Sequence, residues 1–138
     1  KNVLETLKPL TDGRLIVVFG CGGDRDVTKR SRMGEVASLL ADIVVITSDN
    51  PRTENPTGVI RQIECGVSES CNSIVIEDRQ AAVVEAIRMS RPGDVVLIAG
   101  KGHEDYQEFL DGRIPFDDRK QARAAMAARR KARGEDRA

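Results

Sequence analysis

Four short runs of valine and isoleucine, separated by stretches of helical spacing, limit this chain to very few folds. They lie at residues 14–19 (RLIVVF), 43–47 (IVVIT), 73–77 (SIVIE) and 94–99 (DVVLIA). Each is nearly unbroken rather than alternating, as a strand covered on both faces should be. Between the first two, Met33, Val36, Leu39 and Leu40 fall at helical spacing; between the second and third, Val59, Ile60 and Ile63 do so. Ala82, Val83, Ala86 and Ile87 repeat the pattern before the fourth run. Strand alternating with helix predicts an α/β fold with an open, doubly wound, mostly parallel sheet. After the fourth strand, residues 107–110, an Asp111-Gly112 turn and residues 113–115 read as a small antiparallel hairpin near the C-terminal end. A last helix is expected over 118–131.

The sheet is therefore Rossmann-like, and 138 residues suit a single domain, 1–138. Lys and Arg number 22, as do Asp and Glu, so whole-chain charge gives no reason to expect a nucleic-acid or membrane partner. The run Arg129, Arg130, Lys131 and Arg133 has a simpler use, complementing the dipole at a helix C-terminus. Apolar runs are far short of the about 20 residues that cross a bilayer. No secretory leader pattern opens the chain, and a first residue Lys1 rather than Met suggests a piece of a longer protein. Three cysteines without a CxxC, and one histidine, predict neither a disulfide framework nor a metal site. A reducing cytoplasm is the expected compartment.

In such sheets ligands collect at the carboxyl ends of the strands. Three loops of unusual composition fall there: residues 20–29 (GCGGDRDVTK), 48–55 (SDNPRTEN) and 100–106 (GKGHEDY). The first matches GxG at Gly20 and Gly22, but Arg25 takes the third glycine position of a dinucleotide fingerprint. The third contains Gly100-Lys101 but fails as a P-loop, with Val95 at the first glycine and Gly102 in place of Ser/Thr. Gly22-Gly23 reads as a tight turn, and Arg25 stands between Asp24 and Asp26, whose carboxylates are expected to hold its guanidinium toward another anion. In the second loop Pro51 restrains Asn50, which offers a donor and an acceptor, and Arg52 offers a planar fork for a carboxylate. In the third, Glu104 and a free Gly100 carbonyl can hold an ammonium group, and His103 suits a positioning hydrogen bond better than a general base. A carboxylate grip (Arg25, Asn50, Arg52) beside an ammonium grip (Gly100, Glu104) makes a receptor for an amino-acid zwitterion.

At these residues the chain resembles the C-terminal domain of Mur ligases of the MurE type, the diaminopimelate-adding branch of the family. FGCGGDRD (19–26), KRxxMG (29–34), DNPRxExP (49–56), AGKGHEDYQ (99–107) and FDDR (116–119) carry the resemblance, in the family's order and across nearly the whole chain. The family commonly has Pro after KR, where this chain has Ser31.

The resemblance implies that Arg25, Asn50 and Arg52 hold the carboxylate at the non-reacting centre of meso-diaminopimelate, with Asp49 shaping their loop. Gly100 and Glu104 would take the ammonium of that centre. Asp24 and Lys29 would face the nucleotide. The implied reaction is ATP-dependent amide formation on UDP-MurNAc-L-Ala-D-Glu in peptidoglycan synthesis. ATP and Mg2+ would be held mainly by a central domain, and the UDP group by an N-terminal one, neither present in this chain. No catalytic residue is then expected here, and the isolated domain should be inactive. Two related readings are a lysine-adding Mur ligase and a folylpolyglutamate synthetase; the intact DNPR argues against both.

Overall fold

The computed structural model describes residues 2–101 and 103–134; Gly102, part of the P-loop comparison, lies outside them. Strands β1 (Leu15–Phe19), β2 (Ile43–Ile46), β3 (Asn72–Val75) and β4 (Val95–Ile98) form one parallel sheet in the order β3-β2-β1-β4. Val17 is flanked by Val44 on one side and Leu97 on the other. The chain winds outward from β1 to β3, then returns across the sheet to place β4 on β1's other edge. The direction therefore reverses between β1 and β4, which opens a crevice at their carboxyl ends.

Helices α2 (Thr28–Leu40) and α3 (Pro56–Glu64), with a short α1 (Asn2–Leu7), pack on one face of the sheet; α4 (Arg79–Met89) packs on the other. Helix α5 (Asp118–Ala132) lies against α4 through Ala125, Val83 and Ile87. Side chains alternate along β1, with Leu15, Val17 and Phe19 facing α2 and α3 while Ile16 and Val18 face α4. Strands β5 (Tyr106–Phe109) and β6 (Gly112–Pro115) form a separate two-stranded antiparallel sheet. Phe109 pairs with Gly112, so the tight turn is Leu110-Asp111, one residue earlier than expected. Gly112, the first residue after the turn, takes a positive φ of +125° that a residue with a side chain rarely adopts.

The buried faces of α3 (Val59, Ile60, Ile63) and α4 (Ala82, Val83, Ala86, Ile87) are those the spacing indicates. Helix α2 differs: it buries Arg30, Gly34 and Ala37, while Met33 and Leu39 are exposed. Its inner face is chosen by close approach rather than by apolar bulk. A Cβ on Gly34 would stand 2.2 Å from the Ile63 carbonyl oxygen, and one on Gly66 would stand 1.6 Å from that of Ser31. Strand β3 is also not covered on both faces, since Asn72, Ser73 and Val75 are exposed at the edge of the sheet. Side-chain caps start three helices: Asn55 on Thr57, Asp78 on Ala81 and Asp117 on Arg119.

Candidate functional site

Glycines bring the first two loops together. A Cβ on Gly20 would meet the Thr47 carbonyl oxygen at 2.3 Å, and one on Gly23 the Pro51 carbonyl oxygen at 1.8 Å. Neither glycine has positive φ, so Gly23 serves close approach rather than the turn that GCGGD suggests. The Gly23 N–H donates to the Asn50 carbonyl at 2.7 Å. Buried Arg30 closes the junction with a two-pronged grip on Glu54, at 2.9 and 2.6 Å, and a bond to the Gly22 carbonyl. The Arg30 guanidinium, together with the Asp24 backbone N–H, holds the Glu54 carboxyl down at about 2.

Asn50 is the centre of the cluster and is 2% exposed. Its Oδ1 accepts from Lys101 Nζ at 3.0 Å and from the Glu108 backbone N–H at 2.9 Å. Its Nδ2 donates to Glu104 Oε1 at 3.1 Å. Tyr106 donates its hydroxyl to the other Glu104 oxygen at 3.3 Å, so both oxygens of a carboxylate 34% exposed have donors. Gly100 adopts φ +110°, and its carbonyl takes no hydrogen bond from the described residues.

On the other side of Asn50, Arg52 has φ +55° and donates Nη1 to the Gly23 carbonyl at 3.0 Å. Its backbone N–H bonds the Glu108 carbonyl, which docks the second loop on β5. Gly22 has no side chain where one would crowd the arginines: a Cβ there would stand 2.9 Å from Arg52 Nη1 and 3.5 Å from Arg25 Cγ. Arg25 itself is exposed.

The flanking carboxylates do not hold Arg25 as the sequence suggests. Asp24 accepts from Thr53 Oγ1 and backbone N, and Asp26 accepts from Thr28 Oγ1 and backbone N. Hydroxyl and amide donors win over the longer guanidinium, so Asp26 fastens the start of α2 and Asp24 ties the first loop to Thr53 of the second. Lys29 is exposed in the first turn of α2. His103 is exposed and bonds none of the other described residues. The structure thus gathers Asp49, Asn50, Arg52, Gly100 and Glu104 tightly, leaves Arg25 at the rim beside Arg52, binds Asp24 to Thr53 next to Arg52, and leaves Lys29 exposed on α2.

The fold matches a solved structure titled UDP-N-acetylmuramoyl-L-alanyl-D-glutamate--2,6-diaminopimelate ligase, with a TM-score of 0.88 and 43% identity over 93% of this chain and 26% of that one. Curated proteins of the same name are 54% identical in Synechococcus elongatus (96% of this chain, 27% of that protein) and 53% in Synechocystis (94% and 26%). Residues 1–102 match the family described as Mur ligase, glutamate ligase domain. The chain belongs to the Mur ligase family. It spans about a quarter of the length of these Mur ligases.

Several residues of this Mur ligase domain escape sequence reasoning because their partners are distant in the chain. Arg79 is fully buried, grips both Asp118 oxygens at 2.8 Å, and donates to the Ser48 and Ala99 carbonyls. That explains the second aspartate of FDDR: it ties α5 to the carboxyl ends of β2 and β4. Gln107 donates to the Asp49 carbonyl at 2.9 Å, beneath the second loop. Lys101 is 3% exposed, and its ammonium is enclosed by Asp49, Asn50 and the Tyr106 carbonyl. A charged residue buried at helical spacing with small ones, as in Arg30-Gly34-Ala37, is the signal that could have exposed Arg30.

Lys101 is turned inward, onto Asn50, the Tyr106 carbonyl and the Asp49 carboxylate, and Asp24 is already bonded to Thr53. The described residues also hold no group of three or more His, Cys, Asp or Glu placed for a metal. No described helix is long and apolar enough to cross a membrane. Burial pushes the Cys21 thiol up to about 11, leaving it protonated and unreactive.

Proposed function

We propose that this domain selects and orients meso-diaminopimelate for a cytoplasmic ligase that joins it to UDP-MurNAc-L-Ala-D-Glu in peptidoglycan synthesis. The observation that carries the reading is Asn50, buried between a fixed carboxylate (Glu104) and a fixed guanidinium (Arg52) at the crevice of the sheet. The ammonium of the non-reacting centre meets Glu104 and the Gly100 carbonyl. The carboxylate of that centre meets Arg52, Arg25 and the second N–H of the Asn50 amide, while Asp49 shapes the loop. The remaining amine then points out of the domain toward the acyl group it attacks. Lysine offers no such carboxylate, and polar groups left unpaired in a site of this kind reject it strongly.

ATP and Mg2+ belong to other parts of a longer ligase, with Lys29 and Asp24 on the side that meets them. The names of the relatives support the same substrates. A nucleic-acid role for the basic end of α5 is disfavoured by Arg129, whose guanidinium is bonded to the Ile87 and Ser90 carbonyls and the Ser90 hydroxyl.

Steady-state kinetics of the full-length ligase with diaminopimelate and with lysine test the proposal. A strong preference for diaminopimelate is expected; equal use of both, or a preference for lysine, would refute it. The purified domain should release no phosphate from ATP in the presence of both substrates.

A further inference from the structure

We infer that Lys101 is a positioning residue that makes this site select for a carboxylate, an assignment that rests on the proposed function. Its ammonium has three N–H groups and three partners. It donates to Asn50 Oδ1 at 3.0 Å and to the Tyr106 carbonyl at 2.7 Å. The third side faces Asp49 Oδ1 at 2.8 Å, an ion pair by distance although not aligned as a hydrogen bond. Glu104 Oε1 is 3.9 Å away. With 3% exposure the lysine reaches neither solvent nor ligand, so it acts through these neighbours.

Two consequences follow for the ligand. Asn50 Oδ1 is occupied by two groups that can only donate, the Lys101 ammonium and the Glu108 backbone N–H. The amide is thereby locked with its oxygen inward and its Nδ2 outward. One Nδ2 hydrogen serves Glu104, and the other is left for the ligand. Asn50, able in sequence to be donor or acceptor, is restricted to a donor, which suits a carboxylate and not an ammonium. Lys101 also offsets the Asp49 carboxylate behind the DNPR loop. Without it, Asp49 and Glu104 would place two negative charges beside the spot where the ligand's own carboxylate must sit, and like charges in a partly desolvated site repel strongly.

The test uses the full-length ligase and the ratio of kcat/KM for diaminopimelate to that for lysine, measured for wild type, Lys101→Met and Lys101→Met/Asp49→Asn. The wild-type ratio judges the proposed function; the change in ratio judges Lys101. Lys101→Met should lower the diaminopimelate value at least about tenfold, the equivalent of one charge-assisted hydrogen bond, while lysine stays within about threefold. KM for ATP and for the UDP-dipeptide should hardly move. The double variant leaves no unpaired buried carboxylate, so it folds even where the single does not. Because its Asn50 oxygen still lacks the ammonium donor, its ratio should stay more than about threefold below wild type. A wild-type ratio in the double variant, or diaminopimelate and lysine values falling together in both variants, would overturn the assignment and reduce Lys101 to a core ion pair.

Discussion

Arg52→Ala removes the planar cation of the DNPR loop and leaves its backbone alone. Arginine and alanine both carry a Cβ, so the cost of φ +55° is common to the two. The backbone N–H bond to Glu108 also survives the substitution. What is lost is the guanidinium, proposed to meet the ligand carboxylate, together with its bond to the Gly23 carbonyl. Truncating one partner of a buried charge pair costs about 2–5 kcal/mol. Two features put Arg52 in the lower half of that range: the side chain keeps 18% exposure, and Glu108 Oε1 at 3.7 Å already shares its charge. About 2–3 kcal/mol corresponds to a loss of roughly 30- to 150-fold in kcat/KM for diaminopimelate. Arg52→Lys should recover only part, since an ammonium cannot make two parallel bonds. Arg52→Gly should match the alanine variant in kinetics while gaining about 1 kcal/mol of stability from the relaxed backbone. Lysine should stay a poor substrate throughout. Steady-state kinetics of the full-length enzyme decide the matter, and an Arg52→Ala enzyme within about threefold of wild type on diaminopimelate would refute the reasoning.

Glu104→Gln keeps shape and removes the charge proposed to face the ammonium, so KM for diaminopimelate should rise about tenfold with ATP and UDP-dipeptide unaffected; a uniform rise in all three would instead point to impaired domain closure. Glu54 has a folded-state value of about 2, below its unfolded value, so the Arg30 pair stabilises the domain fully above about pH 4.5 and progressively less as pH falls toward 2. Urea midpoints of wild type and Glu54→Gln should therefore differ most near pH 6, and the gap should narrow steadily as pH falls from about 4.5 toward 2; a constant gap would contradict the pairing. Gly23→Ala would push a Cβ onto the Pro51 carbonyl and should destabilise the domain by about 1–3 kcal/mol in urea denaturation. An unchanged midpoint would mean that the first two loops are not in close contact.

Local pattern reveals the central strands because β1 and β2 are buried on both faces and need unbroken Val and Ile. It reveals α3 and α4 for the same reason, since each turns an apolar stripe to the sheet. It misleads on α2, where contact with α3 is set by Gly34 and Gly66, residues that leave no mark on hydrophobic periodicity. Exposure of β3 depends on strand order, a long-range property. At the site, the parallel-sheet rule brings three loops to one edge, and Asn50 of the second meets Lys101 and Glu104 of the third there. Sequence cannot tell which groups inside that cluster are already spoken for. Asp24 and Asp26, adjacent to Arg25, bond elsewhere, whereas Arg79 and Asp118, 39 residues apart, bond each other. Lys101 looks like a failed phosphate binder until Asn50, 51 residues away in the chain, closes on it.

The position of meso-diaminopimelate bound to the full-length ligase, determined crystallographically, tests the central claim most directly. One carboxylate should lie within hydrogen-bond distance of Arg52 and Asn50 Nδ2, with the ammonium of the same centre on Glu104 and the Gly100 carbonyl. A ligand bound elsewhere, or bound here with its ammonium toward Arg52, would contradict the account.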